Sequence, residues 1–163
     1  MAVELGLRFL KVLVLFVILW TFLWVNKSYG CRRVEGQEMT PTFPQDKNVM
    51  LNPQARNPGD LDRGDAVAYA YEIGGRGVKN LVGRVIGLPG DRVRIVKGEV
   101  FVNNERLVEN YVNSRNRSSE DYAGTLIPRD TLFVLGDNRN GAKLVDSRAF
   151  GPLSAWAVAG KVR

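Results

Sequence analysis

The chain contains no histidine and only one cysteine. Without imidazole there is no Ser-His-Asp triad, no Cys-His dyad and no histidine metal site. Cys31 has no second thiol in the chain to pair with, so no internal disulfide or cysteine-rich zinc site supports the fold. No cofactor and no metal are expected. There is also no internal repeat and no aromatic-basic stripe of the kind that tracks nucleic acid. The net charge of +6 is spread along the chain, and Arg8, Lys11, Lys27, Arg32 and Arg33 flank a single apolar segment. The excess of positive charge therefore reads as a membrane-proximal surface, with no nucleic-acid partner.

Long hydrophobic runs are scarce as well, with one exception. Val12 to Val25 reads VLVLFVILWTFLWV, with Thr21 its one polar member. Fourteen helical residues span about 21 Å, short of a hydrocarbon core of about 30 Å. Extension back to Leu7 closes the gap if Arg8 and Lys11 snorkel toward the headgroups, with Trp20 and Trp24 at the far interface. Residues 7–25 are thus expected to meet membrane lipid as a single-pass anchor, with 1–30 as tail and anchor and 31–163 as the folded domain. A cleaved signal peptide is the competing reading, but Ser28-Tyr29-Gly30 fits a cleavage site only loosely. Charge does not fix the orientation, because basic residues lie on both sides.

Beyond the anchor, short extended runs alternate with turn signals. Strands are expected at 48–51, 66–71, 78–86, 92–96, 100–102 and 132–135. Lys97-Gly98-Glu99 and Asn103-Asn104 read as turns, and Leu88-Pro89-Gly90-Asp91 as a strong one. The polar stretch Asn113 to Ala123 reads as a mobile surface loop, and 155–162 as a short helix or a last strand. The fold class is mainly β, a largely antiparallel domain on a helical stalk.

Four segments then stand in a telling order: Gly36-Gln37-Glu38-Met39-Thr40-Pro41-Thr42; Arg63-Gly64-Asp65; Gly83-Arg84-Val85-Ile86-Gly87-Leu88-Pro89-Gly90-Asp91; and Gly136-Asp137-Asn138-Arg139 followed by Asp146-Ser147-Arg148 and Gly151. They resemble the boxes of the type I signal peptidases (the S26 family): G-x-S-M-x-P-T, R-G-D, K-R-V-I-G-L-P-G-D and G-D-N-R-x-x-S-x-D-S-R-x-x-G. The resemblance implies a coiled antiparallel β domain on the extracytoplasmic side of the cytoplasmic membrane. It also implies secretory pre-proteins or signal-like peptides as partners.

A serine hydroxyl is a weak nucleophile until a base removes its proton. The resemblance assigns that base to a lysine kept neutral by burial, since desolvation disfavours an ammonium. At the matching positions this chain has Glu38 for the nucleophile, Gly83 for the base and Ala142 for a supporting serine. Six residues separate Arg139 from Asp146, where the family pattern has four. Glycine offers no base, and a carboxylate beneath a carbonyl repels the oxyanion that would form. Pro41, Arg84, Asp137, Asn138, Arg139, Asp146 and Arg148 remain as scaffold, with Met39 and Thr42 shaping the turn. Thr40, Lys79, Lys143 or a Glu38–Asp146 carboxylate pair would rescue activity only by migrating into the site.

The expectation is therefore a signal-peptidase-like protein that lacks the Ser/Lys dyad and binds peptides without cutting them. By the same resemblance, the peptide would lie as an extended strand along Arg33, Val34, Glu35, Gly36, Gln37 and Met39 on one side, and Leu81, Val82 and Gly83 on the other. Backbone hydrogen bonds would hold it. Gly83 is expected to leave room for a larger side chain, and Glu38 to favour a basic group. Double replacement of the dyad resembles proteins tied to pilus assembly, which suggests help in secretion or assembly. An active peptidase using displaced groups and a structural envelope protein with no peptide site are the alternatives.

Overall fold

A computed structural model of the protein describes residues 2–28, 30–72, 75, 77–113, 115, 118–141 and 145–163. The chain opens with helix α1 (Ala2–Ser28) and continues as β1 (Gly30–Arg33), β2 (Asn48–Asn52), β3 (Ala66–Glu72), β4 (Val78–Gly87), β5 (Arg92–Val96) and β6 (Glu99–Val102). The remaining elements are β7 (Glu105–Arg106), β8 (Tyr122–Leu126), β9 (Thr131–Leu135), a one-turn helix α2 (Ser147–Phe150), β10 (Leu153–Ser154) and β11 (Val158–Val162). Short 3-10 turns lie at Pro58–Asp60 and Ala155–Ala157. Every described strand pair is antiparallel. Seven strands form one sheet in the order β1-β2-β11-β3-β4-β9-β10, and four form a second in the order β7-β6-β5-β8.

α1 has 27 residues, about 40 Å at the rise of an α-helix. From Leu10 to Trp24 its large apolar side chains are exposed, with the Phe16 and Trp20 rings stacked at 6.2 Å. Among the described residues no helix is long and apolar enough to cross a membrane. The side chains described without a break, 10–24, cover about 22 Å.

The strand interiors follow from their sequence periods. β5 alternates exposed Arg92 with buried Val93 and Ile95, one face to solvent and one to the core. β4 is different: from Leu81 to Gly87 every residue is buried, because the strand is central and covered on both faces. One face packs Leu81 and Val85 with Val67, Tyr69, Leu132 and Val134. The other packs Val82 with Val34, Met39, Val49 and Ala68. Ile86 and Phe133 join the second sheet through Val93, Ile95, Val100 and Ile127.

The β5–β6 hairpin turns on two residues, Lys97 at φ 49° and Gly98 at φ 77°, and Glu99, read as part of the turn, already pairs with Val96 in β6. Lys97 and Gly98 both lie in the left-handed region that type I′ requires, and glycine takes it without penalty. Asn103 and Asn104, at φ 53° and 71°, make the second turn. Three further expectations need correction. The stretch read as loop through Ala123 already enters β8 at Tyr122, pairing with Ile95 of β5. Region 155–162 is neither helix nor strand throughout, but a 3-10 turn followed by β11. β1 was missed because its four residues are all exposed and carry no alternation.

Candidate functional site

The site assembles where two loops meet the middle of β4. β4 pairs with β3 along Val78 to Arg84, but β9 joins its other edge only from Arg84 onward. Among the described residues, 78–83 therefore have a strand partner on one side alone. In an antiparallel ladder, alternate N–H and C=O groups point to opposite edges, so this edge presents backbone groups that a third strand could take.

The segment after β1 runs beside that edge. Val34 is held by its own exchange with the 46–47 turn: it donates to the Lys47 carbonyl at 2.9 Å and accepts from Asp46 N–H at 2.8 Å. Asn80 Nδ2 donates to Glu35 Oε1 at 3.3 Å, bridging the two sides. No backbone hydrogen bond joins 34–38 to 78–83 among the described residues. Arg33 closes β1 and pairs with Asp46 at 3.0 Å, both exposed. Glu35 and Gln37 are exposed and Gly36 half-buried, whereas Val34, Met39, Leu81, Val82 and Gly83 are buried. What those five leave for a neighbouring strand is backbone, because the four side chains among them belong to the core.

Glu38 opens a tight turn that contains the cis Thr40–Pro41 peptide bond. Its carboxylate folds back over Gly36 and fills the space that a Cβ there would take. Its carbonyl is held from below. Asn138 N–H donates to it at 2.8 Å, Asn138 Nδ2 donates to the Gln37 carbonyl at 3.3 Å, and a Cβ on Gly136 would stand 2.6 Å from it. The turn and the fourth segment thus lock together through backbone, without any contribution from the identity of the side chain at 38.

Beneath them lies a set of buried ion pairs. Arg84 forks onto Asp137, Nε to Oδ1 at 2.7 Å and Nη2 to Oδ2 at 2.5 Å, and its Nη1 reaches the Gly64 carbonyl at 2.7 Å. Thr42 Oγ1 donates to the same Asp137 carboxylate, and the Tyr111 ring lies 4.0 Å under the guanidinium. Burial works to lower the Arg84 pKa, but the hydrogen bond and charge of Asp137 outweigh it and the pKa rises. Arg139 forks onto Glu109 and donates to the Gly136 carbonyl at 2.6 Å. Arg148 forks onto Asp146, which caps α2 by accepting from Arg148 N–H. The R-G-D segment is structural too: Arg63 donates to Asp91 at 2.8 Å and to the Ile86 carbonyl at 3.0 Å, fastening the turn that ends the third segment.

No side chain stands at 83, and the space above that glycine is filled. A Cβ there would meet Tyr69 Cε1 at 3.0 Å, Val134 Cβ at 3.4 Å and the Tyr69 hydroxyl at 3.5 Å. The expected room for a larger side chain is therefore absent: Tyr69, the diagonal neighbour of Gly83 across the β3–β4 ladder, has taken it. The Tyr69 hydroxyl donates to the Val145 carbonyl at 3.0 Å. Burial, then the charges of Asp146 and Glu38, push its pKa above the ordinary tyrosine value. It keeps its proton at neutral pH and so does not act as a base there.

Two of the other rescue candidates are placed elsewhere or already engaged. Lys79 is exposed near the start of β4, opposite Tyr71, about 13 Å from Gly83 at the rise of a strand. Asp146 is committed to Arg148 and to the Gly136 N–H at 3.3 Å. Ala142 and Lys143 lie outside the described residues. A hollow of about 590 Å³ is lined by Val96, Val100, Phe101, Leu107, Val108 and Val112 in the smaller sheet. It contains no residue of the Glu38–Gly83 region; an edge that pairs with a strand needs no cavity. Tyr69, Glu109 and Tyr111 are the site residues that motif reading did not find.

The family model for signal peptidase, peptidase S26, matches residues 2–163. Signal peptidase I P of Bacillus subtilis subsp. natto is 32% identical over 123 residues, covering 71% of this chain and 64% of that protein. Signal peptidase IB of Staphylococcus aureus (strain COL) is 31% identical over 145 residues, covering 79% of this chain and 73% of the relative. The chain thus spans just under two thirds of the Bacillus protein's length. The crystal structure of a signal peptidase I from Enterococcus faecalis V583 superposes with a TM-score of 0.52 at 30% identity, covering 63% of this chain and 97% of that one.

Proposed function

We infer that this chain, which belongs to the signal peptidase (peptidase S26) family, is a non-catalytic member that captures secretory peptides without cutting them. The observation that carries the reading is the pair of positions 38 and 83. One holds a carboxylate folded over Gly36, the other has no side chain and is covered by Tyr69. Acyl transfer needs a hydroxyl and a base within hydrogen-bond reach of each other, and neither group is present at these positions. The frame around them is retained: the turn at Glu38 is held by Asn138, and the edge of β4 at 78–83 is open to a strand.

Binding then rests on main-chain hydrogen bonds to that edge, which owe nothing to the lost side chains. Glu35 and Glu38 give the groove negative charge, favouring a peptide with a basic group nearby. α1 is the anchor: its stem of exposed apolar side chains, flanked by Arg8 and Lys11, leads in two residues from Ser28 into β1. Membership of the family supports placing the β domain outside the cytoplasmic membrane, as a single-pass protein.

The test is binding of a fluorescent signal-sequence peptide to the full chain in detergent or bilayer. Saturable binding that is lost when residues 33–37 are replaced together is the expected result. No binding by the native chain would leave the structural-protein alternative standing in its place.

A further inference from the structure

Asparagine is a poor strand former, and β4 carries one, Asn80. It pairs with Ala70 of β3 on one side, in the stretch where β9 has not yet joined the other. By the alternation of a strand it shares a face with Val82, whereas Lys79 belongs to the opposite face. Asn80 Nδ2 donates to Glu35 Oε1 at 3.3 Å. Among the described residues this is the one hydrogen bond that joins segment 34–38 to the open edge at 78–83. Two main chains that pair directly stand about 4.8 Å apart, so a strand set between two others needs about 10 Å. Extended Asn and Glu side chains joined by a hydrogen bond reach across about 10 Å. The bridge therefore has the length of the slot that a peptide strand would fill.

We propose that Asn80 and Glu35 form a clasp across the mouth of the groove, and that a peptide opens it by placing a basic side chain of its own on Glu35 in place of Asn80. The proposal rests on the reading of 78–83 as a peptide-binding edge. An added strand turns alternate side chains toward the face that Asn80 and Val82 share, so one of them meets the clasp. The bond it displaces runs from a neutral amide to a carboxylate. An ammonium or guanidinium gives the same oxygen a charge-assisted bond, which is shorter and stronger. Glu38, whose carboxylate lies back over Gly36, adds a second negative charge beside it. Arg33, the basic residue nearest in sequence, is engaged with Asp46 at 3.0 Å. Glu35 is thus held by an amide in a place suited to a cation. A peptide with an uncharged residue there opens the clasp with nothing to give Glu35, so the clasp selects for basic peptides.

The experiment measures Kd for a fluorescent signal-sequence peptide on the full chain in bilayers, with lysine compared against norleucine at each position in turn. On the native chain lysine should tighten binding about threefold at one position and not at the two beside it, and less so at high salt. Glu35→Gln should remove that preference. Asn80→Ala, which opens the clasp and keeps Glu35, should tighten binding of the norleucine peptide about threefold. A gain of affinity is a change that damage to the fold does not produce. Unchanged or weaker binding of that peptide to Asn80→Ala overturns the proposal. So does a native chain with no lysine preference, or a preference that survives Glu35→Gln. In those cases the native chain still binds and the proposed function stands. Absence of binding by all three chains overturns that function, and the clasp with it.

Discussion

Arg84 and Asp137 form a two-point ion pair across 53 residues of sequence, with side chains 11% and 0% exposed. Arg84 follows Gly83 on β4, and Asp137 precedes the asparagine that holds the Glu38 turn. The pair therefore ties the two halves of the site together whatever chemistry they carry. Asp137→Ala strands a buried guanidinium and is expected to cost about 3–5 kcal/mol, measured by denaturant unfolding. Thr42→Ala, which removes one of several donors to the same carboxylate, should cost about 1 kcal/mol.

Gly136 sets how closely the fourth segment approaches the turn. A Cβ there would stand 2.6 Å from the Glu38 carbonyl, a backbone atom that cannot rotate away. Gly136→Ala should destabilise by about 1–3 kcal/mol and weaken peptide binding together with it, because the turn must lift off Asn138. Unfolding and binding titrations on the same preparation check this.

Asp91 gives a pH dependence of defined sign. Burial alone would raise its pKa, but the Leu88 N–H, Arg63 and Asn103 hold it below the ordinary 3.8. The unfolded chain therefore takes up the proton first as pH falls. The stability from this group is present above the unfolded value and is lost as pH drops through it toward the lower folded one. Asp91→Asn should be less stable than the native chain at neutral pH and should lose less between about pH 6 and about pH 3. Urea midpoints at the two pH values report it.

The anchor reading is checked by extraction. The full chain should stay with the bilayer through high salt and alkaline carbonate, because apolar side chains and not charge hold it. Release by either treatment would contradict an inserted helix.

Much of the strand pattern was legible because it depends on near-neighbour chemistry. The period-two run at Ala66–Tyr71, the extended run after Asn80 that only Arg84 interrupts, and the paired positive-φ turn residues all leave local marks. β8 left none, since Tyr122–Leu126 is a half-exposed edge strand with little apolar content. In the site, the motifs located Glu38, Gly83 and Asp137 but could not show what packs over Gly83. Tyr69 reaches Gly83 on the diagonal of a ladder, so its role appears only once the register is fixed. The Glu109–Arg139 pair is likewise a contact across 30 residues between irregular segments, with no periodicity to announce it.

The central claim is capture without cleavage, and one measurement meets it directly. The purified full chain in bilayers is incubated with a signal-sequence peptide, and bound and free peptide are both analysed by mass spectrometry over hours. The account expects peptide retained on the protein at its full mass, with no product above the rate in empty bilayers. A cleaved product that forms in proportion to the amount of protein would contradict it.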